Sequence, residues 1–277
     1  MHSMHALWIF LLVAVSFRRC TFFTAPSVGS GAPCILCSMD AESVVHPRKR
    51  KVLLSWSGGK DSAWALHQLR QDARYEVSAL LTTLNGHFGR VAIHGYREEL
   101  LDLQAQATGL PVWKVPLPYP CSNADYESRM QAVCARAVAE GFDAVAFGDL
   151  FLEDIRAYRV EKLAGTGLEP LFPIWGIPTD QLARQMIAAG LRARITCVNP
   201  KHLAPSFCGR VFDAQLLADL PPSVDPCGER GEFHSVAIAG PMFTHPIAVE
   251  HTLTVERDGF AYGEIVPLGC ASAIETT

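Results

Sequence analysis

Six consecutive residues combine glycine, hydroxyl, ammonium and carboxylate groups in an order that suits the binding of an anion. They are Ser57, Gly58, Gly59, Lys60, Asp61 and Ser62. Glycine allows a positive φ and a close approach of the backbone to a ligand, and the free N–H groups of a following helix attract negative charge. We expect an anion-binding loop here. In it Asp61 orders the loop or reaches a divalent cation, and a simple helix-start carboxylate is the alternative.

Four later segments carry further groups that could act at a bound anion. They are residues 90–97 (RVAIHGYR), 148–156 (GDLFLEDIR), 173–176 (PIWG) and 228–234 (GERGEFH). Arginine forks match phosphate and carboxylate groups, and His, Asp and Glu can move protons or bind cations. The secondary structure between these segments must bring them together.

The spacing of apolar residues predicts alternating strands and helices. The predicted strands are 51–56, 75–83, 112–117, 143–147 and 192–198. The predicted helices are 62–71, 96–108, 126–140, 152–163 and 179–189. Alternation of this kind indicates βαβ units and a parallel sheet. Asp149 then follows a strand at the carboxyl edge of the sheet, where ligands bind in open α/β folds.

The pattern changes after about residue 200. A short helix at 212–220 is followed by predicted strands at 233–239, 247–257 and 260–266, with a hairpin turn at 258–259. We therefore expect an α/β protein with a Rossmann-like parallel sheet and a smaller C-terminal mixed α+β part. The expected divisions are a tail at 1–45, an N-terminal domain at 46–170 and a C-terminal substrate domain at 171–270.

The N-terminal tail differs from the rest of the chain. Residues 5–15 are largely apolar, but the run is shorter than a membrane span, and its arginines follow it rather than precede it. We favour a start codon assigned too far upstream of Met39, with a targeting peptide or membrane anchor as the alternative. Cys34 and Cys37 form a CxxC pair, but zinc or redox use would need partners. Nine scattered cysteines indicate reduced thiols and a cytoplasmic protein.

Composition excludes several classes of protein. The chain has 277 residues, 49% of them hydrophobic and 19% charged, as in globular proteins. Its formal charge is −4, and residues 51–277 carry 19 basic and 26 acidic residues. Such a chain lacks the basic footprint of a duplex-binding protein, and a local basic patch that binds RNA stays open. We expect neither a nucleic acid nor a membrane as its partner.

The motifs resemble those of a known enzyme family. The SGGxDS string, in place of a Walker A loop, resembles the PP-loop of the ATP pyrophosphatases of the adenine nucleotide α-hydrolase superfamily. With the later segments in this order, residues 51–266 resemble the diphthine–ammonia ligase family, and CGERGEFHS is the variant of its bacterial members. The resemblance implies a fold of the PP-loop (HUP) type and an ATP-dependent amide-forming ligase. In that reaction a substrate carboxylate attacks the α-phosphate, pyrophosphate leaves, and ammonia or an amine displaces AMP.

The resemblance also implies cofactors and site residues. ATP and Mg²⁺ are the expected cofactors, and Asp61 is the possible magnesium ligand. The expected partners are ATP, ammonia and a substrate carboxylate that stays unidentified. A homodimer is possible. The expected nucleotide-binding residues are those of the loop 57–62 together with Thr82, Arg97 and Gly148. The expected catalytic residues are Asp61, His94, Asp149, Glu229 and Glu232. The expected substrate-binding residues are Arg156, Trp175 and Glu232.

Several of these residues have a plain structural alternative. His94 contacts phosphate or acts as an acid or base, or it bonds the backbone. Glu229 and Glu232 orient an amine or bind a cation, or they are solvated loop carboxylates. Trp175 lies under the substrate pocket or packs in the core. Arg97, Arg156 and Arg159 neutralise phosphate or form surface salt bridges.

Two other functions fit the same loop. A tRNA-modifying PP-loop enzyme would need a basic surface or a clustered cysteine site, and the acidic body argues against it. A non-catalytic ATP-binding regulator would usually lack the second domain and the GERGEFH string.

Overall fold

The computed structural model describes residues 48–268. The predicted tail, with Cys34 and Cys37, lies outside the described residues. Within residues 48–268, no helix is long and apolar enough to cross a membrane.

A mostly parallel sheet, sheet A, forms the N-terminal part. Its strands are β1 (Arg50–Ser55), β2 (Tyr75–Asn85), β3 (Arg90–Val91), β4 (Val112–Leu117), β5 (Ala144–Ala146) and β6 (Glu169–Leu171). The parallel strands lie in the order β4-β2-β1-β5-β6, and the short β3 pairs antiparallel with the end of β2. This arrangement confirms the expected Rossmann-like sheet.

The strand order reverses between β1 and β5. Helix α1 (Lys60–Gln71) follows β1, and α2 (Glu98–Thr108), α3 (Asn123–Ala139) and α4 (Glu153–Leu163) complete the crossovers. In open α/β sheets, the crevice at such a reversal is the usual ligand site. The segments after β1 and β5 therefore meet where a ligand would bind.

A second, antiparallel sheet forms the C-terminal part and confirms the expected mixed unit. Its strands are β7 (Arg192–Val198), β8 (Phe233–Ala239), β9 (Val249–Arg257) and β10 (Phe260–Pro267), in the order β8-β7-β10-β9. Helices α5 (Thr179–Ala188) and α6 (Ala214–Asp219) flank them, with a 3₁₀ turn at Pro205–Phe207. The predicted hairpin turn closes β9 on β10, with positive φ at Asp258 and Gly259.

Two of the differences from prediction have local causes. Helix α3 begins at Asn123, three residues before the predicted start, because Ser122 and Asp125 form a capping box. Strand β6 was not predicted, since its three residues include Pro170 and follow two glycines. Three residues are too few to show an apolar periodicity.

The core joins the two sheets. The larger cluster of buried side chains includes Leu54 and Leu66 of the N-terminal part and Ile195 and Val236 of the C-terminal part. A smaller cluster lies on the opposite face of sheet A, beneath α3 and α4. The division at residues 170 and 171 stays a prediction.

Candidate active site

The loop between β1 and α1 is shaped by its own hydroxyl groups. The Ser57 hydroxyl accepts from the Gly59 N–H at 3.3 Å and lies 3.2 Å from the Ser62 hydroxyl. Ser62 donates to the Gly59 carbonyl oxygen at 3.1 Å. Helix α1 begins at Lys60, so the N–H groups of its first turn have no partner within the helix and point toward the loop.

Two glycines of the site have no room for a side chain. Gly58 has φ of +73°, and a Cβ there would lie 1.8 Å from the Tyr96 hydroxyl oxygen. A Cβ on Gly148 would lie 2.9 Å from the backbone nitrogen of Ser62. The β1 and β5 loops are therefore in direct contact, as the reversal of strand order requires.

Gln104 supports this loop from beneath and was missed by the sequence analysis. Its side chain is fully buried in α2. It donates to the carbonyl oxygens of Gly58 at 2.8 Å and Ala237 at 2.7 Å, and accepts from Trp56 and Tyr96 at 3.1 Å each. One amide thus ties the anion-binding loop to strand β8.

A cavity of about 560 Å³ opens at this edge of sheet A. The predicted site residues that line it are Ser57, Lys60, Asp61, Ser62, Thr82, His94, Gly148, Asp149 and Glu229. Apolar side chains also line it, Leu53, Leu81, Val145 and Phe147 among them. The cavity therefore combines polar and charged lining groups with an apolar surface.

Six predicted site residues do not line the cavity, and two of them, Gly58 and Gly59, belong to the loop 57–62 itself. Arg97 pairs with Glu264 of β10 at 2.5 Å. Arg156 lies over the rings of Trp175 and Phe172, 4.8 and 5.3 Å from their centroids. We expected Arg97, Arg156 and Trp175 to take part in the site, but they do not line the cavity. Glu232 does not line it either.

Glu232 is an internal brace of its loop. It is 2% exposed, and its two carboxylate oxygens accept from the backbone N–H groups of Asp225 and Arg230 at 3.0 Å each. A carboxylate with both oxygens engaged in this way is not directed at a ligand. The carboxylate therefore faces its own loop and not the cavity, and the expected role of Glu232 at the nucleotide or the amine stays a prediction.

Asp225, which the sequence analysis did not select, completes this brace. Its Oδ1 accepts from the Cys227 N–H at 2.9 Å, and its Oδ2 accepts from the Thr179 hydroxyl at 2.7 Å. The carboxylate is 6% exposed. It anchors the GERGEFH loop to the start of α5 and so holds Glu229 at the cavity.

Lys60 is a buried cation that is already paired. It is 2% exposed, and its ammonium donates to Asp61 Oδ2 at 2.9 Å and to the Cys227 carbonyl oxygen. Burial lowers the pKa of Lys60, but the negative charge of Asp61 and its neighbours outweighs this and leaves the pKa raised. Lys60 therefore stays charged, and its main observed partners belong to the protein.

The carboxylates of the cavity differ in their surroundings. Burial raises the pKa of Asp61 against the opposing charge of Lys60, and Asp61 Oδ1 is buried with no hydrogen-bond partner. Asp149 Oδ2 lies 3.5 Å from the Arg159 guanidinium, without a hydrogen bond. Oxygen atoms of two carboxylates are thus left with unused bonding capacity at the cavity.

Glu229 is a second cavity carboxyl group whose acidity is strongly perturbed. Its Oε1 accepts from the Leu150 N–H at 2.8 Å. Burial, and next the negative charge of Asp61, raise the pKa of Glu229 to about 8. A carboxyl group that titrates close to neutral pH is suited to proton transfer.

Two buried histidines face each other at the cavity. The rings of His94 and His234 are 4.9 Å apart, and His94 Nδ1 lies 2.9 Å from the Ser235 carbonyl oxygen. Because a carbonyl oxygen only accepts, His94 carries its proton on Nδ1. Burial lowers the pKa of His94 to about 4 and that of His234 well below its usual value, so both rings are neutral at pH 7.

Comparison with known proteins agrees with this geometry. The diphthamide synthase N-terminal domain model matches residues 50–167, and the diphthamide synthase C-terminal domain model matches residues 178–263. The chain belongs to the diphthamide synthase family. The family confirms the resemblance stated above and the expected class of enzyme, an ATP-dependent ligase.

Several relatives of the chain are named diphthine–ammonia ligase. The human protein is 25% identical over 235 residues, a match that covers 76% of this chain and 87% of the human protein. The Danio rerio protein is 27% identical over 238 residues, covering 76% of this chain and 90% of the relative. Neither the tRNA-modifying enzyme nor the regulator finds support in these matches.

Proposed function

We propose that this protein uses ATP to adenylate a carboxylate and then joins the acyl group to ammonia, as the name diphthine–ammonia ligase describes for its relatives. The observation that carries the proposal is one cavity at the strand-order reversal. It is bordered by an anion-binding loop and by a carboxyl group, Glu229, that titrates near neutral pH. Diphthine is the first carboxylate to test.

In the first step, the loop 57–62 and the first turn of α1 hold the phosphate chain. Their N–H groups, with the hydroxyls of Ser57 and Ser62, are donors that stabilise charge on the departing pyrophosphate. The substrate carboxylate oxygen bonds to the α-phosphorus, and the bond from that phosphorus to the bridging oxygen of pyrophosphate breaks. Arg159, beside Asp149, is the arginine that already lies at this wall of the cavity.

The cavity fits a magnesium ion that enters with the nucleotide. Among residues 48–268, no three His, Cys, Asp or Glu side chains form a ready metal site. Mg²⁺ commonly takes one or two protein carboxylates and completes its shell with phosphate and water. Asp61 Oδ1 and Asp149 Oδ2, which lack hydrogen-bond partners, would hold it, and the ion would neutralise phosphate charge.

In the second step, the nitrogen of ammonia attacks the acyl carbon and AMP leaves with its electron pair. The nitrogen must lose a proton as the amide forms. Glu229 in its ionised form takes that proton, since its pKa of about 8 lies near the pH of the reaction. The neutral ring of His94 adds no positive charge that would repel an incoming ammonium ion.

The test is a product assay on the full chain. Incubation with Mg-ATP, ammonium and a diphthine-bearing protein should release AMP and pyrophosphate, and omission of ammonium should lower amide formation. Asp149→Asn should reduce turnover, whereas the exposed Asp258→Asn should not. Release of ADP and phosphate as the coupled products would contradict the proposal. A cytoplasmic location and a homodimer stay predictions.

A further inference from the structure

The balance of charge at the cavity raises a question that its known motifs leave open. Asp61, Asp149 and Glu229 line the cavity, and a nucleotide would add several negative charges. Burial and mutual repulsion already raise the pKa of Glu229. A polyanion such as the phosphate chain binds in a cavity lined by carboxylates only where cations offset the negative charge.

Three cationic side chains expected at the phosphates already pair with carboxylates of the protein. Lys60 donates to Asp61 at 2.9 Å, and Arg159 lies 3.5 Å from Asp149. Arg97 is paired with Glu264 at 2.5 Å, away from the cavity. Each of these charges is offset by a protein carboxylate before a ligand arrives.

Arg230, in the middle of the GERGEFH string, differs from all of them. It lines the cavity and its side chain is exposed to solvent. Among the ion pairs of the described chain, none includes Arg230. Its guanidinium lies 5.7 Å from the ring centroid of Phe151, at the distance limit of a cation–π contact.

The backbone of Arg230 is held in place although its side chain is exposed. Glu232 Oε2 accepts from its N–H at 3.0 Å, so the buried brace of the loop determines where the side chain starts. Phe151, whose ring the Arg230 guanidinium approaches, follows Asp149 by two positions in the segment after β5. Arg230 therefore extends from the C-terminal part toward the loop that borders the anion-binding site.

We propose that Arg230 binds the phosphate chain of the nucleotide from the GERGEFH loop. This inference deepens the proposed function and rests on it. A guanidinium fork makes two parallel hydrogen bonds to phosphate oxygens, and these are stronger than an exposed contact with an aromatic ring. The side chain leaves Phe151 for the phosphate when the nucleotide enters.

Binding measurements on the full chain test this role. The dissociation constants of Mg-ATP and of adenosine, which lacks phosphate, are measured by calorimetry for the wild type, Arg230→Gln, Arg230→Lys and Arg257→Gln. Arg257 is a matched control because it also lies over aromatic rings, 5.6 Å from Phe88, but outside the cavity. Arg230→Gln should weaken ATP binding at least tenfold and change adenosine binding less than twofold. Arg230→Lys should lie in between.

Three results would overturn the inference. ATP affinity within twofold of wild type in Arg230→Gln would show that the guanidinium does not touch the phosphates. Equal losses for ATP and adenosine would show a damaged cavity instead of a lost phosphate contact. Failure of the wild-type chain to bind ATP would overturn the proposed function as well, which separates that outcome from the other two.

Discussion

The side-chain amide of Gln104 donates a hydrogen bond of 2.8 Å to the carbonyl oxygen of Gly58, across 46 positions of the sequence. The same nitrogen donates to Ala237 of β8. The shape of the anion-binding loop therefore depends on a helix of the first part and a strand of the second. Damage to this link should affect both stability and ligand binding.

Gln104→Met should lower the free energy of unfolding by about 2–4 kcal/mol, because buried groups such as the Trp56 N–H lose their partner and each costs about 1–3 kcal/mol. Chemical denaturation measures the change. Gln106→Met, at an exposed position of the same helix, is the matched control and should change stability by under about 0.5 kcal/mol. Equal effects of the two variants would show that the buried network contributes little.

Glu232→Gln should act mainly on stability. The amide that replaces one carboxylate oxygen would turn a donor toward a backbone N–H, and the loop would lose about 1–3 kcal/mol. The measurement is the melting temperature of this variant against Glu256→Gln, which lies on exposed β9. Unchanged stability together with a large loss of kcat would return Glu232 to the catalytic role expected from the sequence.

Glu229→Gln should remove the rise of turnover with increasing pH. Because the pKa of Glu229 is raised to about 8, wild-type turnover should increase as the pH rises through this value and the carboxyl group ionises. The variant cannot ionise, so its turnover should fall by about 10²–10⁴-fold and lose that rise. Rates of amide formation between pH 6 and 9 measure this, with exposed Glu161→Gln as the control. A retained rise would assign the titration to another group.

His94 should make the protein less stable in acid. Its pKa is about 4 in the folded state against an ordinary value of 6.5, so between these values the unfolded chain binds more protons. The contribution of His94 to the free energy of unfolding is then fully present above about pH 6.5. It is lost as the pH falls toward 4, by up to about 1.4 kcal/mol per pH unit. Denaturation at several pH values should give a shallower slope for His94→Gln than for wild type.

Exposed His245→Gln is the control for that slope. Its pH dependence should match that of the wild type, and the slope is compared because both variants can shift the overall stability. An unchanged slope in His94→Gln would mean that acid acts through other groups, His234 foremost.

The amino-acid sequence alone determined the elements and the edge at which the site lies. Alternating apolar segments predicted the parallel sheet, and side chains that follow parallel strands share one edge of it. For this reason the loop 57–62, Gly148 and Asp149 were expected at one edge, and one cavity there is lined by Ser57, Lys60, Asp61, Ser62, Gly148 and Asp149. Their roles in binding and catalysis stay predictions. Local patterns suffice for such statements because they depend on chain direction and burial alone.

Only the tertiary structure decided which charged and polar groups meet. Lys60 bonds a carbonyl 167 positions away, Arg97 pairs with Glu264 across the same separation, and Glu232 turns into its own loop. Periodicity tells which residues are buried, but a hydrogen bond between distant groups depends on how two sheets pack. Residue types therefore predicted the chemistry of this site, whereas packing determined which side chains remain available to a ligand.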